Sequence, residues 1–173
     1  MISLGGGFLT TIDLSQKERL LLEDQRSQEE LCIQKYNSYS NQAQDPELKQ
    51  LFQQYAQEEM EHLNTINQIL SGTVPQMNQQ QGQQQNQQQS QQQNQQMNSQ
   101  SSNYGGMQDA NDKTLCNDVL STEKYVSGAY DTAIFECRDK TLRDTLNHIQ
   151  KEEQQHGEGI FNYMQSKGMY NVK

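Results

Sequence analysis

The sequence predicts an all-α protein, an antiparallel four-helix bundle built from two helix-hairpin repeats and joined by a long, disordered, Gln-rich crossover. Three observations predict it. First, the chain repeats itself: Glu29, Glu59 and His62 recur as Glu123, Glu153 and His156, each 94 residues further on. The same offset pairs Asp24 with Asp118, Tyr36 with Tyr130, Asp45 with Asp139, Leu48 with Leu142 and Ile66 with Ile160, with no gap. Second, apolar residues within each repeat recur at alternating steps of four and three, the seam of a helix packed in a bundle. Third, the stretch between the repeats, Gln76 to Gln100, is nearly all Gln with Asn, Ser and two Met. That composition cannot bury enough apolar surface to offset the entropy of ordering.

Each element has its own signals. Ser15 followed by Glu18 reads as a capping box that starts the first helix near Gln16, and the helix runs to about Gln44. Asp45-Pro46-Glu47 is a stop and restart: Asp45 caps the second helix, Pro46 suits its first position, and Glu47 favours its positive end. The second helix runs to about Leu70 and ends at Ser71-Gly72. A third helix is expected from Asp109 or Asn111 to about Arg138. Asp139 then takes the role of Asp45, Lys140 stands where Pro46 did, and a fourth helix runs to about Ser166, before Gly168. Turns this short make each helix pair antiparallel. The expected organisation is an N-terminal hairpin over 1–72, a linker over 73–108 and a C-terminal hairpin over 109–173. Each half, at roughly sixty residues, is marginal alone, so the two are expected to share one core. The linker holds about 35 residues at about 3.3 Å each, ample to cross a bundle roughly 40 Å long. Its excess length fits either a tolerated expansion or a self-associating segment.

Charge and cysteine usage narrow the function. The formal charge is −9 and the pI about 4.7, with no basic cluster to neutralise phosphates, so nucleic acid is excluded as an expected partner. Met1 to Thr11 lacks the charge and apolar run of a signal peptide, and no stretch approaches about twenty apolar residues, so a soluble chain without a membrane span is expected. Cys32, Cys116 and Cys137 form no Cys-x-x-Cys pair and read as helical packing residues, with crosslinking after assembly as the alternative.

The chemistry sits on the seams. The second helix reads Leu48, Phe52, Tyr55, Glu59, His62, Ile66, Ile69, and the fourth reads Leu142, Leu146, Ile149, Glu153, His156, Ile160, Tyr163. Each puts a Glu-x-x-His where a core residue belongs. The first helix offers Leu22, Glu29, Ile33, Tyr36, and the third Val119, Leu120, Glu123, Val126, Tyr130. Glu30, Glu58, Glu61 and Glu152 fall off these seams and are expected in solvent. Four ionised carboxylates converging in a core are unfavourable by several kcal/mol each without compensation, which two dications would supply. One Glu on one helix and Glu-x-x-His on the next, duplicated, is the ligand set of ferritin-like bundles. The expected metal ligands are therefore Glu29, Glu59, His62, Glu123, Glu153 and His156, for Fe or Mn. Tyr36 and Tyr130 lie two turns beyond Glu29 and Glu123 and are candidates to hydrogen-bond a ligand glutamate, or else pack as plain aromatics. The alternative for the whole constellation is a proton-sharing or water-filled remnant.

The segment Leu120-Ser-Thr-Glu-Lys-Tyr-Val-Ser-Gly-Ala-Tyr-Asp-Thr-Ala-Ile-Phe-Glu, with Leu146-Asn-His-Ile-Gln-Lys-Glu-Glu-Gln-Gln-His156-Gly, resembles the spore coat F-type family of endospore-forming Firmicutes, within the ferritin-like superfamily. The resemblance covers the third and fourth helices; the first two look like the companion half of the same fold, and the Gln-rich insert looks specific to this chain. It implies a protein made in the mother cell and deposited in the spore coat, with other coat proteins and further copies of itself as partners. Ferritin-like relatives such as manganese catalases and rubrerythrins turn over peroxide or oxygen at this ligand pattern. The absence of a rubredoxin-like Cys pair departs from the rubrerythrin pattern. Two roles therefore stay open: a structural coat component, favoured by the Gln tract and eight Tyr, and a di-iron or di-manganese oxidase or catalase-like enzyme.

Overall fold

A computed structural model describes residues 9–75 and 105–170. The elements in order are β1 (Leu9–Thr11), α1 (Gln16–Gln42), α2 (Pro46–Leu70), β2 (Thr73–Pro75), α3 (Gly105–Glu136) and α4 (Lys140–Ser166). The four helices form an all-α four-helix bundle. The expected disordered crossover, including Gln76 to Gln100, lies outside the described residues.

Local chemistry sets the helix ends. The Ser15 hydroxyl accepts from the Glu18 amide at 3.2 Å while the Glu18 carboxylate accepts from the Ser15 amide at 2.7 Å, the expected reciprocal cap. Asp45 accepts from the Glu47 amide and Asp139 from the Leu142 amide, opening α2 and α4. Pro46 stands at the start of α2, where no amide hydrogen is needed. Gly72 follows the end of α2 at a φ of +93°, a left-handed conformation that glycine adopts without a Cβ penalty. The structure differs from expectation in three places. α1 ends at Gln42 rather than Gln44. α3 begins at Gly105, earlier than Asp109, and ends at Glu136, so Cys137 lies in the turn rather than in a helix. Residues 73–75, expected within the linker, pair with β1 in an antiparallel register of Leu9 with Pro75, Thr10 with Val74 and Thr11 with Thr73.

Contacts across the bundle fix the topology. Arg19 at the start of α1 donates to the carbonyl of Leu70 at the end of α2, so these helices are antiparallel. Tyr36 of α1 reaches Glu123 of α3, and Tyr130 of α3 reaches Glu29 of α1, so α1 and α3 are antiparallel as well. His62 of α2 meets Glu152 of α4 and His156 meets Glu58, which gives α2 and α4 the same relation. The connection from α2 to α3 must therefore run the length of the bundle.

The repeat is visible as a pseudo-twofold arrangement. Glu18 accepts from the Arg138 amide in the α3–α4 turn at 2.8 Å. Asp112, 94 residues after Glu18, accepts from the Gln44 and Asp45 amides in the α1–α2 turn at 2.9 Å each. Each buried carboxylate thus ties the N-terminal part of one helix to the opposite hairpin turn and satisfies amides that the turn leaves free. Between these clamps the core is filled by Leu22, Tyr36, Phe52, Ile66, Val126, Tyr130, Leu146, Ile160 and their neighbours. Cys32, Cys116 and Cys137 are buried free thiols, with burial pushing Cys116 up to about 12 and Cys137 up to about 11.

Candidate metal centre

The seams of α2 and α4 deliver Glu59, His62, Glu153 and His156 to the middle of the core, as the four-three spacing dictates. All seven expected seam residues of α2 and all seven of α4 are buried. α1 and α3 contribute Glu29 and Glu123, both buried. On α1 the seam residue is Cys32, whereas Ile33 is half-buried; on α3, Leu120 is half-buried beside Val119. The stripe on these two helices is rotated slightly from the expected one, without moving the glutamates out of it.

The six side chains form two groups. Glu29, Glu59, His62 and Glu153 present ligand atoms within 4.8 Å of one another, and so do Glu59, Glu123, Glu153 and His156. Glu59 and Glu153 belong to both. His62 Nδ1 lies 3.1 Å from Glu153 Oε1, 3.5 Å from Glu59 Oε2 and 3.6 Å from Glu29 Oε2. His156 Nδ1 lies 3.2 Å from Glu59 Oε1, 3.6 Å from Glu153 Oε2 and 4.0 Å from Glu123 Oε2. The imidazole rings stand 5.8 Å apart and nearly parallel. Glu29 serves the His62 side alone and Glu123 the His156 side alone, as the repeat requires.

The outer face of each imidazole is also held. His62 Nε2 lies 3.0 Å from Glu152 Oε2, and His156 Nε2 lies 2.8 Å from Glu58 Oε2. Glu58 and Glu152, expected in solvent, are instead half-buried partners of the two histidines. They stand one residue before the seam, on a shoulder that the opposite helix covers. The repeat carried the signal, since Glu58 and Glu152 are also 94 residues apart and each precedes a seam glutamate. With Nε2 taken up by these carboxylates, Nδ1 is left facing the cluster. Glu30 and Glu61 are exposed, as expected.

The tyrosines close the other side. The Tyr36 phenol donates to Glu123 Oε1 and the Tyr130 phenol donates to Glu29 Oε1, so each glutamate of α1 or α3 is held by a tyrosine of the other. Burial first, and the facing carboxylate next, push both phenols well above their usual range. They stay protonated and act as donors.

Electrostatics divide the carboxylates into two kinds. Burial, followed for Glu123 by the charge of Glu153, pushes Glu29 and Glu123 well above the usual carboxylate range. Burial pushes Glu59 and Glu153 up too, but the two imidazoles outweigh it and hold both low. Both histidines are raised: burial alone would lower them, and the carboxylates on either side overcome it. Glu29 Oε2, Glu59 Oε2, Glu123 Oε2, both oxygens of Glu153 and His62 Nδ1 nevertheless have no hydrogen-bond partner among the described residues. No Lys or Arg side chain forms an ion pair with any of the four glutamates among the described residues.

Comparisons with known proteins bear on the second half of the chain. Residues 111–173 match the family described as Coat F domain. An uncharacterised protein of Bacillus subtilis (strain 168), YusN, is 32% identical over 65 residues, which are 38% of this chain. The matched stretch spans 59% of YusN. No solved structure matches. Over residues 111–173 the C-terminal hairpin is thus similar to a Coat F domain, and the location this similarity supports is the spore coat. None of the described helices is long and apolar enough to cross a membrane.

Proposed function

We propose that this chain, whose C-terminal hairpin is similar to a Coat F domain, is a structural component of the spore coat whose bundle retains a di-metal carboxylate site of the ferritin-like kind. The observation behind the metal site is the set of buried carboxylate oxygens at its centre that lack hydrogen-bond partners among the described residues. Leaving buried acceptors unpaired costs about 1–3 kcal/mol each, more when charged. Glu29, Glu59, His62 and Glu153 would hold one ion and Glu59, Glu123, Glu153 and His156 the other. Oxygen donors with one imidazole per ion suit Fe or Mn. Around the ions, Tyr36 and Tyr130 would orient the unshared glutamates, while Glu58 and Glu152 would hold the imidazoles in the tautomer that frees Nδ1. The structural role rests on the similarity to a Coat F domain together with the chain's Tyr and Gln content, which suits assembly with other coat proteins and with itself.

A second reading, a di-iron or di-manganese oxidase or catalase-like enzyme, is favoured by the sharing of Glu59 and Glu153 between the two groups. Such a pair of ions supplies redox chemistry toward peroxide or oxygen when bound.

Elemental analysis of the purified chain and of Glu59→Gln/Glu153→Gln tests the site. About two Fe or Mn per chain are expected in the native protein and none in the double variant. Manganese should raise the melting midpoint of the native protein alone, by the equivalent of about 2.7 kcal/mol for each site at one hundred times its Kd. Equal metal content in both proteins would sink the assignment. A peroxide-disproportionation assay on the loaded protein separates the readings: turnover favours the enzyme, and its absence with metal bound favours the structural role.

A further inference from the structure

The pseudo-twofold relation between α1 and α3 exposes one place where the two halves differ. In the first half, Lys35 of α1 reaches across to α3, where its Nζ lies 2.8 Å from Asp118 Oδ2 and 2.9 Å from Thr122 Oγ1. The Tyr39 phenol donates to the same Asp118 oxygen at 2.6 Å. The residues 94 positions from Lys35 and Tyr39 are Ala129 and Ala133, and those 94 positions before Asp118 and Thr122 are Asp24 and Gln28. In the second half, then, the acceptors are kept and both donors have become alanine. What remains is a groove of about 320 Å³ whose lining combines the apolar Leu21 and Ala129 with Asp24, Gln25, Gln28, Tyr125 and Thr132. Gln25, which stands where the other half has Val119, is 2% exposed, and its Oε1 has no hydrogen-bond partner among the described residues. A buried acceptor without a donor is costly unless something supplies one.

We propose that this groove between α1 and α3 receives the ammonium end of a lysine side chain presented by another protein chain, in the place that Lys35 fills in the mirror half. The polar lining suits that ligand: the Asp24 carboxylate supplies the charge, and the amide oxygens of Gln25 and Gln28 and the Thr132 hydroxyl supply further acceptors. Tyr125, 65% exposed at the rim, offers an aromatic face along which an alkyl stem and its cation can lie. The net charge of −9 draws a basic partner toward it. An apolar side chain would leave the acceptors unpaired, and an anionic one would be repelled by Asp24.

The test is an NMR titration of the full chain with a capped Gly-Lys-Gly peptide and with its norleucine counterpart, which has the same stem without the charge. The lysine peptide is expected to shift the Ala129 methyl and the Gln25 side-chain amide, and the norleucine peptide to shift neither. Asp24→Asn should weaken the lysine peptide about fivefold or more, since each tenfold is only 1.4 kcal/mol. Ala129→Lys should abolish binding by filling the groove from within and should raise the melting midpoint by about 2–4 °C. That gain should vanish in Asp24→Asn/Ala129→Lys. Equal binding of the two peptides, or undiminished binding to Asp24→Asn, overturns the proposal, as does an Ala129→Lys variant that keeps both the native midpoint and the native affinity.

Discussion

Glu18 is 1% exposed and still ionised, because the Arg138 amide, the Arg138 guanidinium and the Ser15 amide all donate to its carboxylate. Burial pushes its carboxyl up, but these donors outweigh burial and bring it from an ordinary 4.5 down to about 2. A carboxylate whose folded pKa is depressed adds stability above its unfolded pKa and loses it as pH falls through the folded one. Glu18→Gln is therefore expected to melt lower than the native protein at neutral pH, by the equivalent of about 1–3 kcal/mol. The gap should close between pH 4.5 and about 2. Thermal melts of both proteins across that range check it, and a gap that stays constant with pH would assign the loss to geometry alone. At the histidines the single-residue question is different. Glu58→Gln/Glu152→Gln leaves all six proposed ligands in place but removes the carboxylates at both Nε2 atoms. Metal affinity is expected to fall about 10–100-fold, as measured by competition with a chelator, with the metal-free fold intact.

The two copies of the helix hairpin are not interchangeable at every level. An ideal Cβ on Gly159 of α4 would sit 1.8 Å from the Tyr55 hydroxyl and 3.1 Å from its Cζ. The phenol of α2 thus lies directly over the backbone of α4, with its ring 4.3 Å from that of His156. In the mirror half the corresponding residues are Ile149 and Thr65, so neither the phenol nor the glycine is repeated there. Gly159→Ala is expected to destabilise the chain by about 1–3 kcal/mol through this overlap. Tyr55→Phe, which removes the hydroxyl and leaves only the 3.1 Å contact, should recover part of the loss; a double-mutant cycle in urea measures the coupling. Additive effects would mean that the ring moves aside freely. At this scale the sequence was readable in proportion to how amphipathic each helix is. The α2 and α4 seams alternate clearly between apolar and polar, so Glu59, His62, Glu153 and His156 could be placed without coordinates. On α1 the seam includes Glu18, Gln25 and Ser40, so polarity pointed to Ile33 where packing chose Cys32. The three-residue strands were illegible, because β1 and β2 gain their order from each other and from Val74 packing on the core rather than from any local pattern.

The direction of the helices gives the crossover a mechanical role. With α1 antiparallel to both α2 and α3, the chain leaves β2 at one end of the bundle and must re-enter α3 at the other. That span is roughly the length of α1, about 40 Å at 1.5 Å per residue. Residues 76–104 are ample for it. Deleting Gln76 to Gln100 would leave only residues 101–104 between β2 and α3, with a reach of about 16 Å. With both elements in view, the deletion is expected to unravel β2 or the first turns of α3 and to lower the melting midpoint by several degrees. Replacing the tract with Gly and Ser at equal length should leave the midpoint within about 1–2 °C, because loop entropy depends mainly on length. The two variants therefore separate span from composition. If Gln-rich composition drives self-association, sedimentation of the Gly/Ser variant should show fewer assembled chains than the native protein at the same concentration. Equal assembly would make the tract a spacer, and a large loss of thermal stability in the Gly/Ser variant would mean that its side chains pack on the bundle.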